Sequence, residues 1–406
     1  MNHYVSSSSN KDHSCVRSLL FFEASLWGHE ASLSEREWVS KRFNLVRVLD
    51  LGYNYFSKVP SNWGLFIHLR YLKIYIDRIL YALGFSMNIP DSICTLENLL
   101  TLCIYGDADK ISFPSGIWNL KQLRHLHTNG RIIFRGHHSS KADDQVMWNL
   151  QTISMIKLNR EIACMIEKGR FPKLRKLGLR ISWADKDKVH ELLSCLQRLT
   201  HLHKLKLDFP LKRYKGRRPM PSNYNEMKLR IGCKPIELLQ TLQHLSNLTT
   251  LQVSGALDLP TCSTAFPACI TKLKLGGIRF MNDDGMNAIG NLTRLRLLRL
   301  LGDYEVDNSF EINCNAGSFS QLQVFEMKWL NVKKWKLGNG AMPCLQTLLI
   351  NCCINLKRLP DELWSLNSLR QVKVVELSSA LSLELANLEM KDGCDLIVTD
   401  LGSLFS

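Results

Sequence analysis

Residues 45–74 read LVRVLDLGYNYFSKVPSNWGLFIHLRYLKI and contain one spacing of apolar side chains twice. Three apolar residues occupy the first, fourth and sixth positions of each copy: Val46, Leu49 and Leu51, then Leu69, Leu72 and Ile74. In an extended segment the fourth and sixth positions share one face, and the residue between them points to the opposite face. The stretch therefore predicts two short strands that each bury one face.

The same spacing recurs along almost the whole chain. Its first position falls at residues 16, 46, 69, 99, 123, 150, 174, 202, 248, 270, 295, 322, 345 and 369, and a degenerate copy at 224–229 fits the long interval after 202. The resulting mean period of about 25 residues is that of leucine-rich repeats. Strands stacked about 4.8 Å apart share one core. The sequence thus predicts an α/β leucine-rich-repeat solenoid of about 15 repeats, a curved horseshoe with a parallel concave sheet.

The segments between the strands predict short helical turns on the convex side. After Pro90, Pro114 and Pro360, apolar residues recur every third position, which favours a 3₁₀ turn. Proline suits the first turn because its φ is fixed and no N–H is needed there. Residues 184–199, ADKDKVHELLSCLQRL, have the apolar spacing of an α-helix instead.

Composition and termini set the domain organisation. The 13 cysteines contain no CxxC pair, which argues against a disulfide framework and a zinc site. Since the amino terminus is polar and no run of about 18 apolar residues occurs, we expect a cytoplasmic protein without a membrane span. Residues 1–13 are predicted to be disordered and 14–406 to form the repeat domain. A basic loop near 209–223 would add the nucleus if it acts as an import signal.

Enzymatic chemistry has no support in the sequence. GxSxG, GxGxxG, HExxH and the GxxxxGK[ST] phosphate loop are all missing. His125 and His127 flank Leu126, but the sequence places no carboxylate or cysteine beside them to complete a metal site. We therefore predict no catalytic residue, cofactor or metal.

The solvent side of the predicted strands is basic. Positions 2, 3 and 5 of the fourteen clear units give 42 sites, of which fifteen are Lys or Arg, whereas Lys and Arg together make up 52 of the 406 residues. Asp50 and Glu326 are the only acidic residues at these sites. The basic residues are Arg17, Arg47, Arg70, Lys73, Arg124, Arg175, Lys176, Lys204, Lys206, Lys272, Lys274, Arg296, Arg299, Arg370 and Lys373.

Three interpretations of this basic face stay open. The side chains simply remain solvated, or they bind an acidic protein surface, or they bind nucleic acid or anionic lipid. Nucleic acid is the weaker partner because the strands lack the interleaved aromatic residues of a base-stacking platform.

Several phrases resemble a known family. CVRSLLFF at 15–22, LVRVLDLGYNYFSKVP at 45–60 and MPCLQTLLINCCINLKRLPDELWSLNSLRQVKV at 342–374 are similar to repeats of plant intracellular nucleotide-binding leucine-rich-repeat disease-resistance proteins of the coiled-coil type. The resemblance runs from about residue 14 to the end. It implies the recognition half of such a receptor, without the nucleotide switch, because the phosphate loop is missing from this sequence.

The resemblance also implies partners. Early strands would contact an acidic surface of an NB-ARC-type switch domain through Arg47, Arg70, Lys73 and Arg124. Later strands would contact a pathogen effector or a guarded host protein through Lys272, Lys274, Arg296, Arg299, Glu326, Lys328, Trp329, Arg370 and Lys373. Between them, Arg175, Lys176, Lys204 and Lys206 complete the predicted protein-binding face. The alternative is a free-standing leucine-rich-repeat scaffold for signalling proteins.

Overall fold

The computed structural model describes residues 16–20, 43, 45–52, 62–76, 87–106, 111–129, 132–135, 145–181, 189–209, 239, 242–255, 266–278, 283–302, 309–376, 379–386 and 393–399. The chain divides into two compact units. Unit 1 is drawn from residues 1–157 and 169–174, and unit 2 from residues 158–168 and 175–406. The predicted disordered segment 1–13 and the degenerate repeat at 224–229 lie outside the described residues, as does 210–223 of the predicted basic loop.

Unit 1 is built from short strands and 3₁₀ helices. Its strands are β1 (Ser18–Leu20), β2 (Val48–Asp50), β3 (Tyr71–Ile76), β4 (Met87–Asn88), β5 (Thr101–Gly106), β6 (Ile111–Pro114), β7 (His125–Thr128), β8 (Ile132–Arg135) and β9 (Thr152–Lys157). Its 3₁₀ helices are Trp63–Leu65, Asp91–Thr95 and Ser115–Asn119.

Unit 2 adds α-helices to the same pattern. Its strands are β10 (Lys176–Arg180), β11 (Lys204–Asp208), β12 (Thr250–Ser254), β13 (Lys272–Ile278), β14 (Leu297–Gly302), β15 (Phe310–Cys314), β16 (Val324–Lys328), β17 (Val332–Leu337), β18 (Thr347–Asn351), β19 (Gln371–Val375) and β20 (Asp395–Thr399). Its helices are α1 (Arg160–Glu167), α2 (Val189–Ser194), α3 (Asp283–Gly290) and α4 (Ser379–Ala386), with 3₁₀ helices at Cys195–Arg198 and Asp361–Ser365.

One large sheet holds the leucine-rich strands. It has 15 strands in the order β1-β2-β3-β5-β7-β9-β10-β11-β12-β13-β14-β16-β18-β19-β20, and the pairs within each unit are parallel. Two small parallel sheets, β4-β6-β8 and β15-β17, accompany it. Each of the fourteen clear repeats contributes one strand, so the predicted leucine-rich-repeat fold is confirmed.

The sheet runs directly from β11 to β12, the strands on either side of the degenerate copy in sequence. β11 pairs directly with β12, from Lys204 opposite Thr250 to Asp208 opposite Ser254, so no strand lies between them. The fifteenth strand is β20, which the repeat spacing did not indicate and which pairs with β19. Tyr224, Met227 and Leu229 of the degenerate copy lie outside the described residues.

The core lies on the leucine side of each strand. Positions 4 and 6 are buried in every clear repeat after the first, as in Leu205 and Leu207 of β11 or Leu298 and Leu300 of β14. Position 1, just before the strand, is buried in the same repeats, as in Leu202 and Leu295. Burying such a side chain contributes about 1.5–3 kcal/mol, which explains why so short a strand persists only beside its neighbours.

A recurring pair of hydrogen bonds fixes position 2 in most of the repeats. Its carbonyl accepts two N–H groups from the next unit: Arg70 and Tyr71 donate to the Arg47 carbonyl at 2.8 and 3.0 Å, and Thr271 and Lys272 donate to the Thr249 carbonyl at 2.9 and 3.0 Å. The backbone of position 2 is therefore held by both neighbouring repeats, while its side chain points away from the core.

The proline-led turns form as predicted. Pro90, Pro114 and Pro360 each have an extended backbone conformation, and each is followed directly by a 3₁₀ helix. Of the predicted helix at 184–199, α2 and the 3₁₀ helix that follows it cover 189–198, and 184–188 lie outside the described residues. Within the described part of the chain, the helices are too short or too polar to cross a lipid bilayer.

Candidate functional site

Lysines align on three of four consecutive strands of unit 2. At position 3, Lys176 of β10 is the register partner of Lys204 in β11, and Lys272 follows in β13 beyond Thr250. At position 5, Lys206 and Lys274 flank Gln252 in the same way. We call the five lysines 176, 204, 206, 272 and 274 the basic patch. The structure thus brings together residues that are up to 98 positions apart in sequence, from 176 to 274.

The basic patch is electrostatically strained. Burial, then the positive charges of Arg299 and Lys204, lower the pKa of Lys274 below its ordinary value. Like charges on neighbouring strands, about 5 Å apart, repel by roughly 0.8 kcal/mol even in water. An approaching anion would relieve this repulsion, so the patch is suited to an acidic ligand.

Arginines at position 2 extend the positive surface. Arg175, Arg296 and Arg370 are exposed, and each lies one residue before the strand it belongs to. Lys373 in β19 is exposed as well. Among the described residues, none of these four side chains has an acidic ion-pair partner.

The acidic residues of this face are already paired. Asp208 accepts from Arg180 at 2.7 Å between Oδ2 and Nε, and Glu326 accepts from Lys328 at 2.9 Å between Oε1 and Nζ. Glu326 also binds Arg299 through its second oxygen. We predicted Glu326 to be exposed, and this was wrong: it is 2% exposed, because the two cations cover it. The negative charge of Glu326 is therefore neutralised within the protein.

Unit 1 carries a sparser set of basic residues. Arg47, Arg70 and Arg124 are exposed at position 2. Lys73 is half-buried, and its Nζ donates to Asp50 Oδ2 at 2.9 Å, one strand away. Of the four predicted early contacts, three arginines are therefore open to a partner and the lysine is engaged.

Sequence reasoning missed an aromatic cluster in unit 1. Tyr71 and Tyr105 hydrogen-bond to the thiol of Cys103, which is 4% exposed. Burial raises the pKa of all three groups, so they stay neutral at physiological pH. Tyr105 stands at position 7, which the charge count over positions 2, 3 and 5 left out. The pattern of a tyrosine closing the strand, as in TLCIY at 101–105, was the available signal.

The two histidines lie next to this cluster. The His125 and His127 rings stack with centroids 6.0 Å apart, and His125 Nδ1 lies 3.2 Å from Thr152 Oγ1. Cys103 is the register partner of His127, a neighbour that the sequence alone did not indicate. No group of three His, Cys, Asp or Glu residues suited to a metal occurs among the residues that the structure describes.

Comparison with known proteins gives one family match and several relatives. The family model described as "Leucine-rich repeat region" matches residues 16–391. "Disease resistance protein RPP8" of Arabidopsis thaliana is 28% identical over 375 residues, which are 90% of this chain and 36% of that protein. "Late blight resistance protein R1-A" of Solanum demissum is 23% identical over 351 residues, which are 85% of this chain and 22% of that protein.

The chain therefore spans about a third or less of the length of these relatives. Among solved structures, a leucine-rich-repeat protein of Leptospira interrogans is 15% identical, with 88% of this chain and 85% of that chain covered and a TM-score of 0.38. The resemblance drawn from the repeat phrases is confirmed by the disease-resistance relatives.

Proposed function

The chain belongs to the leucine-rich repeat region family, and from this premise we propose that it is the recognition and regulatory module of a plant immune receptor. Unit 2 binds a pathogen effector or a guarded host protein, and unit 1 binds an acidic surface of an NB-ARC-type switch domain. The names of the relatives supply the defence context. The module binds without catalysing a reaction and works in the cytoplasm, with the nucleus as a second location.

The observation that carries this proposal is the basic patch. Its five lysines stand in register on β10, β11 and β13, and the nearby acids Asp208 and Glu326 neutralise other cations. A fold stabilised by its leucines gains nothing from aligned lysines, which repel one another. Their alignment favours a complementary acidic surface, which positive charge also steers into place.

For the switch domain, the open arginines of unit 1 are the stronger candidates. Arg47 and Arg70 lie in consecutive repeats, and the backbone carbonyl of each accepts hydrogen bonds from the next repeat. Arginine in this setting is well suited to paired hydrogen bonds with carboxylates. Lys73 contributes less because binding a partner would first cost it the contact with Asp50.

A charged peptide tests the basic patch. The probe is a labelled twelve-residue peptide of alternating aspartate and serine, and binding is followed by fluorescence anisotropy at several salt concentrations. Reversing Lys204, Lys272 and Lys274 to Glu should weaken binding at least about tenfold. The matched control reverses Lys333, Lys334 and Lys357, which are equally charged but lie outside the large sheet. Equal losses in both variants would contradict a localised patch.

Two further measurements separate the alternatives. A labelled single-stranded oligonucleotide that bound more tightly than the peptide, with a steep dependence on salt, would favour a nucleic-acid site instead. Co-expression with a switch domain from a disease-resistance relative tests unit 1: Arg47→Glu with Arg70→Glu should abolish co-precipitation. Unchanged association of that variant would refute the role of these arginines.

A further inference from the structure

We propose that unit 2 carries an apolar docking patch on the solvent face of β14, β16 and β18, where apolar side chains of the acidic partner are anchored. This inference deepens the proposed recognition function and rests on it. It assigns the partner a second chemical property besides negative charge.

The patch consists of apolar residues at positions that face away from the core. Leu297 and Leu301 of β14, Val324 of β16 and Leu349 of β18 occupy positions 3, 7, 3 and 5, and all four are half-buried. The core of β14 is already supplied by positions 4 and 6, which are 0% exposed. The fold therefore does not require these four side chains to be apolar.

Neighbouring strands show what the fold accepts at the same positions. In β11, β12 and β13, positions 3, 5 and 7 hold only lysine, aspartate, threonine, glutamine, serine and glycine. The character of the face changes at β14 from charged and polar to apolar. Contiguous apolar surface on a solvent face marks interaction sites more often than isolated apolar residues do.

Strand register makes these residues one surface. Leu297 is the register partner of Val324, and Arg299 is followed along position 5 by Glu326 and then Leu349. Adjacent strands are about 4.8 Å apart, so side chains at partnered positions contact one another. The four apolar residues therefore lie around Glu326.

Covering Glu326 at the centre of the patch does not desolvate an unpaired charge. Its carboxylate is satisfied by Arg299 and Lys328, so a partner that seats on the patch does not strip water from an unpaired charge. The side chains of these two cations are 37% and 34% exposed, which leaves part of each for the partner. Buried apolar anchors surrounded by polar contacts are the usual anatomy of a protein interface.

The border of the patch defines the charge of its occupant. Lys272 and Lys274 are the register partners of Leu297 and Arg299 on one side, and Lys373 is the partner of Leu349 on the other. Trp329, directly after β16, is 36% exposed. The chemistry that fits is a protein segment with apolar side chains flanked by aspartate or glutamate. Phosphate backbones offer no apolar groups for the leucines.

Two peptides measured on the full chain test the inference. The first alternates aspartate with serine, and the second alternates aspartate with leucine at the same length and charge. We expect the leucine peptide to bind at least about tenfold more tightly, because its leucines bury apolar surface against the patch. Val324→Ser and Leu349→Ser should remove most of that difference and leave the affinity for the serine peptide unchanged, which also shows that the variants are folded.

A matched control exists in unit 1. Val48 also occupies position 3 of its strand and is half-buried, so Val48→Ser changes the same chemistry away from the patch and should leave both affinities as they are. Equal binding of the two peptides, or a difference that survives Val324→Ser and Leu349→Ser, overturns the docking patch while the basic patch stands. Failure of both peptides to bind overturns the recognition proposal as well.

Discussion

The close approach of Gly302 to the next repeat gives a graded test of how tightly the units are stacked. A Cβ built on Gly302 would lie 1.9 Å from the Trp329 carbonyl oxygen and 2.7 Å from its carbon. Backbone rather than a flexible side chain blocks the space, so Gly302→Ala must separate β14 from β16. The lost backbone hydrogen bonds and the overpacking together cost about 3–5 kcal/mol.

Substitutions at two other glycines give reference values for the stability change. At Gly276 an added Cβ would meet Ser254 and Leu301 at 3.6–3.7 Å, an ordinary contact, so Gly276→Ala should be neutral or stabilise by up to about 1 kcal/mol. Gly317 has open space but a φ of +69°, so Gly317→Ala should cost about 1–2 kcal/mol through backbone strain alone.

The assay combines thermal unfolding with hydrogen exchange of the β14 and β16 amides, because repeat proteins open in parts. The expected order of stability is Gly276→Ala, then Gly317→Ala, then Gly302→Ala, with the exchange increase of the last centred on β14 and β16. Equal stability of Gly302→Ala and Gly276→Ala would refute the stacked-backbone geometry.

Three further outcomes are expected. Glu326→Gln should lower the free energy of unfolding by only about 1–2 kcal/mol, since Arg299 and Lys328 are partly solvated. The same substitution should tighten binding of the aspartate–serine peptide in the anisotropy assay, because these two cations lose their carboxylate partner. Weaker binding would count against this. Burial raises the pKa of the Cys314 thiol to about 12, so at pH 8 mass spectrometry should find iodoacetamide on exposed Cys164 and on Cys314 only after unfolding. The Asn247 side chain donates to the carbonyl of Thr200 at 2.8 Å, so Asn247→Ala should cost about 1 kcal/mol in thermal unfolding. The Asn291 side chain makes no such bond with another described residue, so Asn291→Ala should cost less than about 0.5 kcal/mol.

The leucine spacing was sufficient to predict the large sheet because its information is local. Leu205 and Leu207, two positions apart, can share a core only on an extended segment, whatever lies on the neighbouring strand. The proline-led turns were predictable for the same reason. By contrast, the adjacency of β11 and β12 could not be predicted from the spacing, because it depends on which strands pair.

The small sheets were missed because their strands carry weak signals. β4 has two residues, and β6 ends on a proline that the sequence indicated as the start of a turn. In the β15-β17 pair the register shifts between Phe310 and Glu311, so the strands do not keep a regular alternation. Such pairings are fixed by stacking of the units rather than by local pattern.

The positive charge of the site was predicted from the sequence, but the burial of Glu326 and the apolar docking patch were not. Lys204 and Lys272 are placed on the solvent face by position within the repeat, so counting positions was enough. The burial of Glu326 depends on Arg299 being on the adjacent strand, and the docking patch depends on Leu349 lying beyond it; both require the register. The charge count also ignored outward-facing leucines, since leucine in this chain otherwise indicates core.

The paired hydrogen bonds at the position 2 carbonyl separate two requirements that most protein surfaces must meet together. The scaffold is held by main-chain atoms that every amino acid except proline supplies, so Arg47 or Arg296 can be exchanged without loss of the bonds that join the units. Under the proposed recognition function, the outward residues can therefore change one at a time as the partner changes. Each exchange alters what is recognised and leaves the framework intact.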